Sequence, residues 1–172
     1  MFGIEAFFVW LISFLFAICI GTFVEYVVHR LMHAGVLLHK KHIEHHKDGI
    51  GQGWFGEFLD YVLGAIPLSA LCSVIAYFML NSLTVVYGVM TGGLAYAAIV
   101  AYAHQLQHEK PHLWFQPAVH HLHHKHNLWK YNFGITTAFW DRVFHTYKPM
   151  NNFEGLVERK FHDYFAITWF KR

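Results

Sequence analysis

Ten of the sixteen histidines in this sequence fall into four clusters with regular spacing. In chain order the clusters are HxxxH, HxxHH, HxxxH and HxxHH, and they contain His29 and His33; His42, His45 and His46; His104 and His108; and His120, His123 and His124. Residues three and four apart share one face of a helix, so each cluster turns two or three imidazoles in one direction. The ten side chains therefore predict two metal ions with five histidine ligands each.

The type and the number of the ligands together limit which metals fit these clusters. Neutral imidazole binds iron, copper, zinc and nickel, so the ligand type alone does not select one of them. Zinc has no redox chemistry and its closed sites use four ligands, whereas ten clustered ligands suit two irons that bind and cleave dioxygen. A solvated, metal-buffering histidine tract is the alternative. Such a tract has no reason to keep the same helical phase in two separate parts of the chain.

Two uncharged runs must position these clusters. No charged residue lies between Glu5 and Glu25, and none lies from Tyr61 to Ala103. One membrane-spanning helix needs about 20 apolar residues, so the first run predicts one span and the second predicts a hairpin that reverses at Asn81–Ser82. We therefore predict an all-α integral membrane protein with a single domain over residues 1–172. Its three transmembrane helices should cover about residues 6–28, 61–80 and 83–103.

Composition supports a membrane protein and excludes several other classes. Of the 172 residues, 55% are hydrophobic and 14% are charged, well below the roughly 25% charged residues of soluble domains. The net charge of +2 offers no broad basic surface for nucleic acid. Cys19 and Cys72 both lie in apolar runs, which excludes a disulfide framework. A soluble protein of this length would struggle to cover three such helices.

Charge placement predicts the orientation. All lysines, arginines and histidines lie in residues 29–60 and 104–172. Both stretches leave the membrane on one side, which the positive-inside rule makes the cytoplasm. The histidine-rich segments 29–60 and 104–150 should then form a helical cap on the cytoplasmic face that holds the dimetal site. Glu5, in place of a basic segment, argues against a cleaved signal peptide, and amphipathic spacing over residues 153–170 predicts an interfacial helix.

Three other motifs match known functional patterns but lack the sequence context that those functions require. Residues 51–56 match GxGxxG but follow a polar segment and no strand, which predicts a flexible interfacial loop without a cofactor. Residues 108–112 match HExxH, but Pro111 should end the helix that a zinc-protease motif needs. Because of this break in the helix, a membrane zinc metalloprotease is only the less favoured alternative. Glu109-x-x-His112 lacks the second such motif and the extra glutamates of soluble di-iron bundles, which excludes a ferritin-like site.

In combination, the four clusters resemble those of the fatty acid hydroxylase superfamily of membrane di-iron enzymes. The resemblance runs from about His29 to Tyr147 and includes an N-x-G segment at 132–134 and a W-D-x-x-F segment at 140–144. It implies an O2-dependent oxidoreductase with two iron ions, for which zinc can substitute in an overexpressed sample. The implied reaction is hydroxylation or desaturation of a C–H bond of a fatty acyl chain, sphingolipid, sterol or carotenoid. His145 departs from the family, which usually has glycine there.

Metal-bound histidines usually donate their second ring N–H to a carboxylate or carbonyl. The candidates for such support are Glu25, Asn127, Asn132 and Asp141. The histidines at 39, 121, 126 and 145 receive no metal role, and His145 is interpreted as capping a turn.

The expected partners follow from the resemblance and the predicted membrane location. A lipid substrate should enter sideways from the membrane. Because no cytochrome b5-like domain is fused to this chain, electrons should come from a separate cytochrome b5-like or ferredoxin-like donor. A histidine-rich metal transporter or metal-binding membrane protein is the alternative from another class. Such a transporter should carry ionisable residues inside its spans, and the run from 61 to 103 has no charged residue.

Overall fold

The computed structural model describes residues 3–114, 117–150 and 159–170. Within these ranges every regular element is helical. The α-helices are α1 (Ile4–His33), α2 (His39–Asp48), α3 (Trp54–Leu80), α4 (Leu83–Glu109), α5 (Val119–Lys125) and α6 (Phe139–Val143). Helices α1, α3 and α4 are long and apolar enough to cross a membrane. The predicted all-α architecture with three candidate spans is confirmed.

The long helices extend beyond the predicted spans. Helix α1 continues from residue 28 to His33, and α4 continues from residue 103 to Glu109. Both HxxxH pairs therefore lie on the last turns of these helices and not in the loops that follow them. A continuous helix fixes the direction of such side chains more firmly than a loop does.

The reversal between α3 and α4 lies at Asn81–Ser82, as predicted. Asn81 adopts a left-handed conformation with a φ of 46°, which asparagine tolerates better than most residues, and it ends α3. The Ser82 hydroxyl accepts the Val85 N–H at 3.4 Å and caps α4. Two polar residues are therefore enough to turn the chain.

Helix α4 packs along both α1 and α3 and forms the centre of the bundle. Gly88 and Gly92 let α1 approach closely: a Cβ added at Gly88 would lie 2.7 Å from the Trp10 carbonyl oxygen, and one at Gly92 would lie 2.5 Å from the Phe14 carbonyl oxygen. Small residues four positions apart commonly permit such contacts between membrane helices. The close approach fixes where α1 and α4 deliver their histidines.

We expect Gly92→Ala to destabilise the bundle by about 1–3 kcal/mol, because the new methyl group would overlap the backbone of α1. Gly93→Ala is the matched control, since its added Cβ would lie 3.7 Å from the nearest atom, Ser69 Oγ. Thermal unfolding of the detergent-solubilised protein should show a lower midpoint for Gly92→Ala only. Equal midpoints for the two variants would contradict the tight contact between α1 and α4.

Of the segment 51–56 predicted to be a loop, residues 51–53 lie outside any helix and lead into α3, whereas residues 54–56 already belong to α3. The Gly53 N–H donates to Gln105 Oε1 at 3.0 Å, and Gly53 has a φ of 81°, which favours glycine. A Cβ at Gly51 would overlap the same Gln105 amide. The Gln52 N–H donates to Glu57 Oε1 at 2.9 Å. These contacts fix the start of α3 against α4.

The interfacial helix predicted for residues 153–170 is wrong for the part that the structure describes. Residues 153–158 lie outside the described ranges, and 159–170 contain only a 3-10 turn, at Phe161–Tyr164. The Trp54 N–H donates to the Thr168 carbonyl at 2.9 Å, and the Thr168 N–H donates to Glu109 Oε2 at 2.9 Å. Because the Thr168 backbone pairs with α3 and α4, it does not make helical bonds here.

Candidate metal centre

The ten clustered histidines meet where the last turns of α1 and α4 are covered by α2 and α5. One ring nitrogen from each member of the first histidine group lies within 4.8 Å of the others; this group is His29, His33, His42, His46 and His123. The same holds for the core of the second histidine group, which is His45, His104, His108 and His120. The ring of His124 lies between the two groups, with its centroid 4.0 Å from that of His46 in the first group and 4.6 and 4.7 Å from those of His45 and His108 in the second.

Each HxxHH triplet is divided between the two groups. On α2, His42 and His46 are one turn apart and join the first group, whereas His45 joins the second. On α5, His123 joins the first group and His120 joins the second. Neighbouring positions on a helix point about 100° apart, so a short helix lying between two sites can serve both.

The nitrogen spacing within each group suits ligands of one ion. His33 Nε2 lies 2.8 Å from His42 Nε2 and 2.9 Å from His123 Nε2. In the second group, His45 Nε2 and His108 Nε2 are 3.1 Å apart. With metal–nitrogen bonds of roughly 2.1 Å, ligands at right angles lie about 3.0 Å apart and tetrahedral ligands about 3.4 Å apart. These nitrogens are therefore close enough to bind one ion together.

Burial keeps the ligand imidazoles of the short helices neutral, as metal binding requires. Removal from water, with help from neighbouring histidines, lowers the pKa of His42 to about 2. Burial also lowers the pKa of His45 to about 3 and the pKa values of His46 and His123 to about 4. At neutral pH these rings carry lone pairs that are free to bind a cation.

Buried ring nitrogens without partners provide a test of whether a metal fits. His29 Nε2 and both ring nitrogens of His124 are buried and have no hydrogen-bond partner among the described residues. A buried polar atom left in this state costs about 1–3 kcal/mol. Metal ions would satisfy His29 Nε2 and one of the two His124 nitrogens, so the residues fit a pair of histidine-bound metals.

Backbone carbonyls orient two of the ligands in the first group. His29 Nδ1 lies 2.6 Å from the Phe133 carbonyl oxygen, and His123 Nδ1 lies 2.7 Å from the Tyr131 carbonyl oxygen. A ring N–H that donates to a carbonyl places the lone pair on Nε2 and fixes the plane of the ring. The loop between α5 and α6 therefore aligns ligands from two different helices.

Glu57 supports the second group, although the sequence did not single it out. Its Oε1 lies 3.0 Å from His104 Nδ1, and the residue is only 4% exposed. A carboxylate beside a ligand imidazole strengthens and orients that ligand. The only available signal was a glutamate in the first turn of a span, on the side where the histidines emerge.

Glu25 does not contact His29 as the sequence suggested. Its buried carboxylate accepts the Ile135 N–H at 2.7 Å and the Tyr96 hydroxyl. These bonds fasten to α1 the loop whose Phe133 carbonyl orients His29. Glu25 therefore acts on the ligand through the backbone of this loop.

Asp141 organises the same loop and is fully buried. Its carboxylate accepts the N–H groups of Phe133 and Gly134 at 2.9 and 2.8 Å and the Thr146 hydroxyl at 2.8 Å. These three bonds set the conformation of the residue whose carbonyl meets His29. The supporting role of Asp141 at a metal stays a prediction, and any such support would run through the backbone of this loop.

The two asparagines predicted to support the ligands shape turns. Of the histidines without a metal role, His39 and His145 lie at a helix end and in a turn. Asn132 has a φ of 59° and bonds through its side chain to both backbone groups of Lys148, while Asn127, two residues after the end of α5, has a φ of 46°. His39 Nδ1 lies 2.7 Å from the Met32 carbonyl oxygen and ties α2 to α1. His145 has a φ of 56°, a conformation that explains why glycine suits this position.

The HExxH motif does not form a single helical site. Helix α4 ends at Glu109, and Pro111 begins a 3-10 turn that contains His112. The predicted end of the helix before His112 is confirmed. His108 instead belongs to the second histidine group.

A cavity of about 510 Å³ leads from the histidines into the bundle. Its histidine end is lined by His29, His45 and His104, and its far end includes Phe16 on α1 and Leu68 on α3. Along α1 the lining extends about 20 Å, at roughly 1.5 Å of rise per residue. An elongated cavity between three candidate spans suits an apolar chain.

Comparison with known proteins adds an independent observation. The sequence profile described as Fatty acid hydroxylase matches residues 14–146, a range that includes all ten clustered histidines. The chain belongs to the fatty acid hydroxylase family. Family membership supports an oxidoreductase function of the lipid hydroxylase type.

One relative of this hydroxylase-family chain is fatty acid 2-hydroxylase from Mus musculus. It is 30% identical over 152 residues, which cover 79% of this chain and 39% of the mouse protein. The chain therefore spans less than half the length of this relative. No solved structure matches the chain.

In this hydroxylase-family protein, Glu57→Gln should weaken metal binding at the second histidine group about 10–100-fold, because the amide supports His104 less well than the carboxylate does. Glu44→Gln, an exposed change on α2, is the control. Competition against a chelator should show one weakened site in Glu57→Gln and two unchanged sites in Glu44→Gln. Identical affinities in both variants would remove Glu57 from the metal centre.

Proposed function

We propose that this protein is a membrane hydroxylase that uses two iron ions and dioxygen to oxidise a C–H bond of a lipid. The observation that carries the proposal is the cavity that joins both histidine groups to the space between the candidate spans. Its lining changes from imidazoles at one end to apolar side chains along the rest of its length. A lipid chain in this space would lie with one segment beside the histidines.

The residues present define how the chain contributes to such a reaction. Iron bound by the two histidine groups would supply dioxygen reduction and the oxidising power for C–H cleavage. The apolar wall removes water from the lipid chain and limits its orientation. Burial keeps the imidazoles neutral, and the carbonyls and the carboxylate behind them hold the rings correctly turned. The same site could instead desaturate the lipid, and product analysis would distinguish desaturation from hydroxylation.

Orientation and electron supply complete the proposal. All lysines and arginines lie in the segments that carry the histidines or follow them, which supports a cytoplasmic position for the metal centre. We propose that a separate cytochrome b5-like or ferredoxin-like protein delivers electrons from that side. Mixing the purified protein with each donor type and its reductase should show which one supports turnover.

The decisive test combines metal content with product analysis. Protein purified anaerobically in detergent should contain about two irons per chain, and His120→Ala should lose half or more of them. Incubation with a membrane lipid extract, reductant and isotope-labelled dioxygen should yield a lipid carrying one labelled oxygen atom. Where zinc is found instead, reconstitution with iron must restore oxygen consumption. No stoichiometric metal in either protein, or metal transport into vesicles without an oxidised lipid, would overturn the proposal.

A further inference from the structure

Besides the clustered histidines and the buried Glu57, three polar side chains that reach water line the histidine end of the cavity. They are Lys41 on α2, Gln52 just before α3 and Asp60 on α3. Lys41 Nζ lies 2.6 Å from Asp60 Oδ2, and Gln52 Nε2 donates to the same oxygen at 2.9 Å. The side chains of Lys41 and Asp60 are 54% and 42% exposed. The three groups therefore stand where the apolar cavity meets water.

This ion pair is more than an isolated surface contact. An exposed salt bridge contributes only about 0–1 kcal/mol to stability, which gives a weak structural reason for the arrangement. The pair joins α2, which carries His42, to α3, which carries Glu57, across the opening of the cavity. A molecule that occupies the cavity would place its water-facing end against these side chains.

We propose that Lys41, Gln52 and Asp60 bind the head group of the lipid substrate and select an uncharged hydroxyl- or amide-bearing head group over a free carboxylate. This assignment rests on the proposed lipid hydroxylase function. A hydroxyl or amide can donate to Asp60 and accept from Lys41 while the two charges stay paired. A free carboxylate would have to compete with Asp60 for the ammonium group and would be repelled by the Asp60 carboxylate.

The position of the three residues also sets the direction of the bound lipid. Lys41 lines the same cavity as His42 and His45 on α2, so a head group held there lies beside the histidine groups. The apolar chain then extends along the cavity towards Phe16 and Leu68. Water-facing polar groups at one end and apolar walls along the rest match the two parts of an amphipathic lipid.

The test compares two probes with the same acyl chain and different head groups. Palmitate and N-palmitoylethanolamine, each with a diazirine at the same carbon, would be crosslinked to the iron-loaded full chain in phosphatidylcholine nanodiscs. The experiment is run at about pH 9, where the fatty acid is ionised. We expect the neutral probe to label wild type at about a tenfold lower concentration than palmitate does, a preference of about 1.4 kcal/mol.

Variants at the mouth of the cavity should change this preference in opposite ways. Asp60→Asn frees the Lys41 ammonium and should shift the preference towards palmitate. Lys41→Met leaves Asp60 as the only charge of the three side chains and should weaken labelling by palmitate further. Lys40→Met and Asp48→Asn are the matched controls, because both residues are exposed on α2 and neither lines the cavity.

The outcomes separate this assignment from the proposed function. Equal labelling by both probes in wild type, or a preference that Asp60→Asn leaves unchanged, would overturn the head-group assignment. The hydroxylase function would stand in that case if iron-dependent lipid oxidation were still observed. Failure of both probes to label the cavity, without any oxidised lipid, would overturn both.

Discussion

His123→Ala should abolish product formation and lower metal affinity at the first histidine group by more than about 100-fold. The loss of a direct ligand should exceed the roughly 10–100-fold effect of losing a group that only supports one. His123 is fully buried, and its Nε2 lies 2.9 Å from His33 Nε2 and 3.1 Å from His46 Nε2. It is the one member of this group that comes from α5, so its removal separates the group from the second half of the chain.

The control for this variant lies on the same segment. His126 is exposed at the end of α5 and belongs to neither histidine group, so His126→Ala should retain wild-type iron and turnover. Metal analysis by mass spectrometry and a single-turnover product assay would be run on both variants. Wild-type iron content and product yield in His123→Ala would show that the first group is not the metal site.

Asp141→Ala should disorganise the loop between α5 and α6 and release metal from the first group. The change leaves the buried N–H groups of Phe133 and Gly134 without their acceptor, at a cost of about 1–3 kcal/mol for each. The Phe133 carbonyl would then lose its fixed position, and His29 would lose the partner that orients it. We expect a lower unfolding midpoint together with loss of iron.

Matched substitutions separate the loss of the acceptor from the loss of charge. Asp141→Asn keeps one acceptor oxygen and should fall between wild type and Asp141→Ala in both measurements. Asp48→Ala, an exposed change on α2, should leave stability and iron unchanged. Circular dichroism should show that the helices persist in Asp141→Ala while limited proteolysis detects the opened loop. A variant with normal iron and normal protease resistance would contradict this role.

The long helices and the convergence of the histidines were accessible from the sequence. Uncharged runs bounded by Glu5, Glu25 and Asp60 define helices of membrane length, and the reversal at Asn81–Ser82 follows from two polar residues in an apolar run. The HxxxH and HxxHH spacings are local periodicities, and a helix converts them directly into direction. These features depend on residues that are close together in the sequence, so they appear there as uncharged runs and regular spacings.

Contacts between distant segments left no such pattern. The Phe133 and Tyr131 carbonyls orient ligands through the backbone, which any residue supplies. The pairing of Glu57 with His104 depends on how α3 packs beside α4. The amphipathic spacing near Thr168 predicted a helix, but the ends of α3 and α4 take its backbone hydrogen bonds.

The sharing of α2 and α5 between the two histidine groups has a consequence for biogenesis. The first group draws on α1, α2 and α5, and the second draws on α2, α4 and α5. Neither group is complete on the ribosome until the third apolar helix has been synthesised and α5 has emerged behind it. Binding energy from metals held by these groups would therefore be withheld from shorter nascent chains and would reach the fold late. Metal loading would thus distinguish a chain that has been synthesised past α5 from one arrested earlier in translation.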